Sequence, residues 1–249
     1  MKSSLRFRLL AVLIPAMGLL LSPAAASATA GITHDPFRGI TNATSINWSG
    51  YAATGATFNS VSASWVQPAG TCTSKDTYSS FWVGLDGDTD GTVEQDGSEV
   101  DCRGGSPQYY AWYEMYPAFP VNFSNAVSPG DHFTASVTAS GDNFTLKISD
   151  TTAGWSHTIH KSLSSAAKSS AEVIAEAPCC QNNGDILTLT DFGTVHFSDA
   201  MANGSPLGNS HPVKINMIDS CEGGTCGPNK DKTSALTGGE NFSDTFISN

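Results

Sequence analysis

Apolar and polar side chains alternate along much of this chain in short runs, separated by Gly, Asn, Asp and Pro. Val61, Ala63 and Trp65 interleave with Ser62 and Ser64, Phe133, Ala135 and Val137 with Thr134 and Ser136, and Phe144, Leu146 and Ile148 with Thr145 and Lys147. Successive side chains on a strand point to opposite faces, so each run predicts a strand with one face on a core and the other in water. Residues 78–85, 108–116, 155–159, 194–197 and 213–218 are further strand candidates, and Ser140-Gly141-Asp142-Asn143 reads as a turn between two of the alternating runs. Many short antiparallel strands predict an all-β fold, a sandwich of two packed sheets. One stretch resists the pattern. Ala171-Glu172-Val173-Ile174-Ala175-Glu176-Ala177 is made of good helix formers with its glutamates at i and i+4. Read as a strand, it puts Glu172, Ile174 and Glu176 on one face and Val173 and Ala175 on the other. Local pattern leaves both readings open.

The first thirty residues stand outside this scheme. A basic start (Lys2, Arg6, Arg8), an apolar run from Leu9 to Leu21 and the small residues Ala28-Thr29-Ala30 read as an export signal, residues 1–30. The apolar run is too short for a membrane span. Removing the signal from 249 residues leaves 219, enough for one β domain, here expected over residues 46–249 after a polar lead-in or short propeptide at 31–45. The lost cations take Lys plus Arg from 12 to 9 against 23 acidic side chains, a charge near −14. Such a chain is a poor partner for nucleic acid or an anionic membrane, and the expected state is a secreted monomer. All six cysteines (Cys72, Cys102, Cys179, Cys180, Cys221, Cys226) follow the signal, so disulfides are expected, with Cys221–Cys226 as the first candidate among fifteen possible pairings. No CxxC occurs and no His sits at ligand spacing. No metal or other cofactor is expected, and the six histidines read as surface or structural.

Common hydrolase signatures are missing: the chain has no GxSxG, no HExxH, no Asp-Thr-Gly or Asp-Ser-Gly and no P-loop. Three stretches carry candidate chemistry instead. They are Phe81-Trp82-Val83-Gly84-Leu85-Asp86-Gly87-Asp88 with Val93-Glu94-Gln95-Asp96-Gly97, then Tyr109-Tyr110-Ala111-Trp112-Tyr113-Glu114-Met115-Tyr116-Pro117, and the glutamate pair at 172 and 176. Together with Asn47-Trp48-Ser49-Gly50-Tyr51 ahead and Asp191-Phe192-Gly193-Thr194-Val195 behind, and in this order, they resemble the glutamic peptidases, or eqolisins. The resemblance implies a lectin-like sandwich of two seven-stranded sheets with a concave active face, and endopeptidase activity in acid on protein or peptide substrates. It places the catalytic glutamine at Gln95 and the catalytic glutamate at Glu176, with Glu172 as the alternative. Trp82 and Asp86 match positions at or beside the cleft; Trp112 and Glu114 join them as substrate-contacting or supporting candidates because, read as a strand, Tyr110, Trp112, Glu114 and Tyr116 share one face. Tyr110, Met115, Asp90 and Glu94 depart from the fungal pattern.

The chemistry of that pair suits acid. A carboxylate with an ordinary pKa of about 4.3 still accepts a proton where a histidine base is disabled, and an amide NH₂ is a neutral donor at every pH. Two other readings stay open at this point: a non-catalytic sandwich that binds carbohydrate or peptide, and a glycosidase using Glu114 with Glu172 or Glu176.

Overall fold

The computed structural model describes residues 32–41, 43–179, 185–222 and 225–249, so the export signal lies outside the described residues. Among the described residues it contains strands and one 3-10 turn, Leu207–Ser210, and no α-helix. The longer strands are β1 (Trp48–Thr54), β2 (Ser60–Val66), β3 (Thr77–Leu85), β4 (Val93–Arg103), β5 (Ser106–Tyr116), β6 (His132–Ser140), β7 (Asn143–Asp150) and β8 (Trp155–Ser162). They continue with β9 (Ser170–Glu176), β10 (Thr194–Ala202), β11 (Val213–Ile218), β12 (Asn229–Thr233) and β13 (Phe242–Phe246).

Among the described residues seven strands make the first sheet, in the order β11-β1-β9-β3-β4-β5 and the short Val121–Asn122. The second runs β8-β7-β6-β2-β10-β13-β12-β11. It adds Thr44–Ser45, parallel to β11, and Gly39–Thr41. It therefore carries more than the seven strands that the resemblance implies. The strand β11 belongs to both sheets: Val213 to Ile215 pair with β1, while Met217 and Ile218 pair with β12. A strand that changes sheets makes a corner and closes one side of the sandwich.

Each sheet alternates as its sequence predicts where one face is wet. Val61, Ala63 and Trp65 of β2 and Phe133, Ala135 and Val137 of β6 are buried, and most of their strand neighbours are not. They form one apolar core with Phe81, Val83, Val173 and Ala175 from the first sheet. Trp65 Nε1 donates to Ser98 Oγ at 2.8 Å across the gap, which satisfies the indole N–H inside the core. The central strands β3 and β9 are buried on both faces, because the outer face of the first sheet carries a second apolar layer of Trp48, Trp82, Trp112, Ile174 and Ile215.

That two-sided burial decides the ambiguous stretch. β9 pairs along its length with β1 and from Ala171 to Glu176 with β3, so inter-strand bonds and packing override helix propensity. It also explains an element that periodicity misses. β4 is polar at most positions, yet it is the neighbour of both β3 and β5, and Glu94, Asp96, Glu99 and Asp101 are fully buried.

The lead-in packs against the domain: Thr33 bridges Cys179, and Gly39–Thr41 joins the second sheet through Thr44–Ser45. The disulfide seen in full is Cys72–Cys102, with Cα atoms 5.3 Å apart, tying the end of β4 to the loop before β3. Cys179 and Cys226 are also disulfide-bonded. Cys221 pairs with Cys226 in the register of a small hairpin, but its side chain lies outside the described residues.

Candidate active site

The outer face of the first sheet collects the chemistry because of the strand period. On β4, Gln95, Gly97, Glu99 and Asp101 share that face, and on β5 Tyr110, Trp112, Glu114 and Tyr116 do. Ladder pairing sets Gln95 beside Glu114, Gly97 between Trp82 and Trp112, and Glu99 beside Tyr110. A side chain at position 97 would bring its Cβ to 2.4 Å from the Phe81 carbonyl and 2.6 Å from Trp82 Cβ, so only glycine lets the strands and indoles close up here.

Glu176, at the end of β9, is fully buried. Trp82 Nε1 donates to its Oε2 at 2.8 Å, and Asn47 Nδ2 lies 3.5 Å from its Oε1. Gln95 Nε2 donates to Glu114 Oε2 at 3.1 Å and to the backbone carbonyl of His34 at 2.9 Å. The lead-in therefore lies over the cleft. Asn47 Nδ2 and Trp48 Nε1 both donate to the carbonyl of Asp35, at 3.3 and 3.0 Å. The His34 ring stacks on Trp112 with centroids 3.6 Å apart and planes 4° from parallel. Its Nδ1 is 3.0 Å from Glu114 Oε2 and its Nε2 is 3.0 Å from Glu99 Oε2. His34 is 1% exposed. Of the two readings of the histidines, surface or structural, His34 takes the structural one, because a polar ring can be buried when both nitrogens find partners.

Of the six residues singled out in the sequence, five meet in this cleft: Gln95, Glu176, Trp82, Trp112 and Glu114. Asp86 stands apart. Its backbone is at positive φ, 69°, and its carboxylate accepts from the N–H groups of Lys168 and Ser169 at 2.8 and 2.6 Å, which clamps the loop that enters β9. The acidic groups that act on Glu172 are Asp88, Asp86 and Asp90. Sequence reasoning passed over Glu99, His34 and Asp35. A second acid spaced four residues after Gln95 on a strand was the available clue to Glu99; His34 and Asp35 have none, because they reach the site through the path of the lead-in.

Burial dominates the electrostatics. It pushes the Glu176 carboxyl well above the usual range; the Asp35 charge adds to this, while the Trp82 N–H opposes it. Burial raises Glu114 too, against the hydrogen bonds and charge of His34, and brings Glu99 up to about 7. Glu94, behind the sheet and near Asp86, is raised to about 9, again chiefly by burial. Among the described residues no cluster of His, Cys, Asp and Glu has the geometry to hold a metal ion.

An antiparallel sandwich with a buried carboxyl, a carboxamide donor and a segment of chain laid across one sheet has the build of a glutamic peptidase. The chain belongs to the Peptidase A4 family, whose model matches residues 46–239. It is 32% identical to scytalidopepsin B of Scytalidium lignicola over 186 residues, 68% of this chain and 69% of that protein. It is 32% identical to aspergillopepsin-2 of Aspergillus niger over 146 residues, 55% of this chain and only 51% of that protein, so the match spans about half of that relative's length. In structure it is similar to scytalido-glutamic peptidase solved with a transition state analog inhibitor, with a TM-score of 0.68 and 26% identity over 81% of this chain and 98% of that one.

Proposed function

We propose that this chain is a secreted acid endopeptidase in which Glu176 is the general base and Gln95 the oxyanion donor. One observation carries the reading: the Gln95 amide already donates to a peptide carbonyl, that of His34, in a segment whose next residue, Asp35, acts directly on Glu176. The scytalido-glutamic peptidase structures include one with a peptide based transition state analog, which supports a peptide as the natural occupant of this face. Secretion rests on the export signal at the amino terminus and on the disulfides.

The chemistry follows from the groups present. The Glu176 carboxylate takes a proton from water, the hydroxide adds to the scissile carbonyl carbon, and the Gln95 N–H stabilises the oxygen as it becomes negative. When the C–N bond breaks, the protonated Glu176 returns its proton to the leaving amine, giving a new carboxyl and a new amino terminus. Trp82 holds the carboxylate through its N–H, and Glu114 orients the Gln95 amide so that its NH₂ faces the substrate. With the lead-in seated, Glu176 is dry, next to Asp35 and held protonated. Departure of the segment would rehydrate it, remove that charge and lower its pKa toward the acid range in which a base is needed.

The test is digestion of an unfolded protein between about pH 2 and pH 7, the range of carboxyl titration. Glu176→Gln is expected to lose at least about a thousandfold, and Gln95→Ala about a hundredfold or more, the usual cost of a missing oxyanion donor. Glu172→Gln is expected to stay within about tenfold of wild type, since that group is remote from the reacting atoms. Undiminished proteolysis by Glu176→Gln, with its fold intact, would refute the assignment.

A further inference from the structure

The strands β8-β7-β6-β2-β10-β13-β12 of the second sheet turn alternate side chains away from the core. The outward residues are mostly Ser and Thr, joined by five exposed basic side chains: His132 on β6, Lys147 on β7, His160 on β8, His196 on β10 and Lys232 on β12. Among the described residues no outward position in the regular ladders of these strands is Asp or Glu, although the chain carries 23 acidic against 12 basic side chains. Its carboxyls gather on the first sheet instead, where Glu94, Asp96, Glu99, Asp101, Glu114 and Glu176 are buried. Burial raises the pKa of each of these, so in acid they add little negative charge.

Three hollows mark this basic face, and each is edged by an outward imidazole. One, of about 390 Å³, is lined by His132 and His196 with Ser64, Val66 and Thr134. A second, of about 360 Å³, adjoins it through His196 and Ser198 and runs to Asn241 and Ser243. A third, of about 330 Å³, lies at His160 with Asn143, Thr145 and Lys161. His132 pairs with Val66, and Phe197 with Trp65, so His132 and His196 flank Val66 two strand spacings apart, roughly 10 Å. Val66 is 37% exposed and makes a small apolar floor between the two rings. Cross-strand bonds orient the polar groups: Ser64 Oγ lies 3.1 Å from Thr134 Oγ1, and Thr145 Oγ1 lies 3.1 Å from His160 Nδ1.

We propose that this outer face of the second sheet binds an acidic polysaccharide, a chain of uronic-acid sugars. The sugar carboxylates meet His132, Lys147, His160 and His196, and the sugar hydroxyls meet the Ser and Thr rows. The surface lies on the side of the sandwich opposite Glu176 and Gln95, so a bound glycan leaves the cleft open. None of its groups belongs to the cleft, and the inference stands apart from the peptidase reading.

Chemistry selects the occupant. A Ser or Thr hydroxyl both donates and accepts, as a sugar hydroxyl does, and an imidazole is a cation in acid. Two carboxyls stand near the rings. Asp131, on which the His132 charge acts, is buried. Asp199 stands at the rim, at φ 53° in the bulge of β10, where it accepts from Ser198 Oγ at 3.4 Å and can accept from a sugar hydroxyl as well. Nucleic acid and a bilayer suit the face less well. Among the described residues no aromatic side chain points outward from these strands to stack a base, and Val66 offers too little apolar surface to enter a membrane.

The experiment measures binding of the purified chain to polygalacturonate coupled to beads, near pH 5 and at low salt, with dextran beads as the neutral control. Wild type is compared with the triple variant His132→Gln, Lys147→Gln, His196→Gln and with the single variant Lys147→Glu, each checked for an unchanged urea midpoint. Wild type should bind polygalacturonate and not dextran, and about 0.5 M salt should release it, because screening is then strong. The triple variant should bind about tenfold more weakly or worse, the sum of three exposed charge contacts, and Lys147→Glu about threefold more weakly. Absence of binding by wild type, equal retention on dextran, or undiminished binding by the folded variants overturns the proposal. Equal or tighter binding to phosphatidylglycerol vesicles or to duplex DNA at the same salt also overturns it, since the face would then attract any polyanion.

Discussion

Glu94→Gln isolates the effect of a dry carboxyl on the stability of this fold. Glu94 sits on β4 with both carboxyl oxygens buried, and Asp86, Thr92 and Asp90 are the groups that act on it. Burial, with the nearby Asp86, raises its pKa from 4.5 to about 9. A carboxyl whose pKa is raised on folding binds its proton more tightly in the native state. Its stabilising effect is complete below the unfolded pKa, near 4.5, and is lost as pH rises toward 9. At pH 7.5 the interval above 4.5 is about three units, and at 1.36 kcal/mol per unit the wild type has lost on the order of 4 kcal/mol through this one group. Glutamine has the same shape and no charge at any pH. Urea unfolding of the two proteins at pH 4 and pH 7.5 should give similar stabilities in acid, within about 0.5 kcal/mol, and a variant that is several kcal/mol more stable near neutrality. The same sign applies to Glu99, raised to about 7, and Asp231, raised to about 6, so wild-type stability should fall overall between about pH 5 and pH 8. Equal differences between variant and wild type at both pH values would refute the reasoning, since burial would then not control this proton.

Trp82→Phe removes the N–H that favours ionised Glu176. A hydrogen bond to a buried charge contributes about 1.5–3 kcal/mol, so the acid limb of the kcat/KM profile should move up by about one to two pH units; an unmoved limb in a folded variant would contradict the base role. Replacing Cys72 and Cys102 by serine should lower stability by about 3–4 kcal/mol, the loop-closure value for a 30-residue separation, with the loss read by urea unfolding under oxidising conditions.

Much of the sandwich is legible in the chain because a strand with one wet face must alternate. Runs such as Val61 to Trp65 and Phe144 to Ile148 could take no other face without exposing their apolar side chains. Legibility fails where both faces are covered. Glu172 and Glu176 look like a helical surface pair, and Glu94 to Asp101 look like a solvated loop. Only the pairing of β9 with β1 and β3, and of β4 with β3 and β5, turns these acids into buried groups.

The linear order of motifs singled out Gln95, Glu176, Trp82, Trp112, Glu114 and Asp86, and the fold brings all of them but Asp86 to one face of the first sheet. That order was not enough to separate Glu176 from Glu172. Four residues apart on one strand, both point to the same face, and what distinguishes them is their surroundings: Trp82, Asn47 and the charge of Asp35 at Glu176, the acids Asp86, Asp88 and Asp90 at Glu172. His34 was beyond any local pattern, because its 80-residue reach to Glu114 and 65-residue reach to Glu99 exist only once the lead-in folds back over the sheet. The sequence by itself determined the strand faces and the chemical inventory, through side-chain polarity at fixed period. The tertiary structure alone decided which carboxyls are dry, which of them meet the amide of Gln95, and which peptide carbonyl lies between, because burial and proximity belong to the packed sheets and not to the chain order.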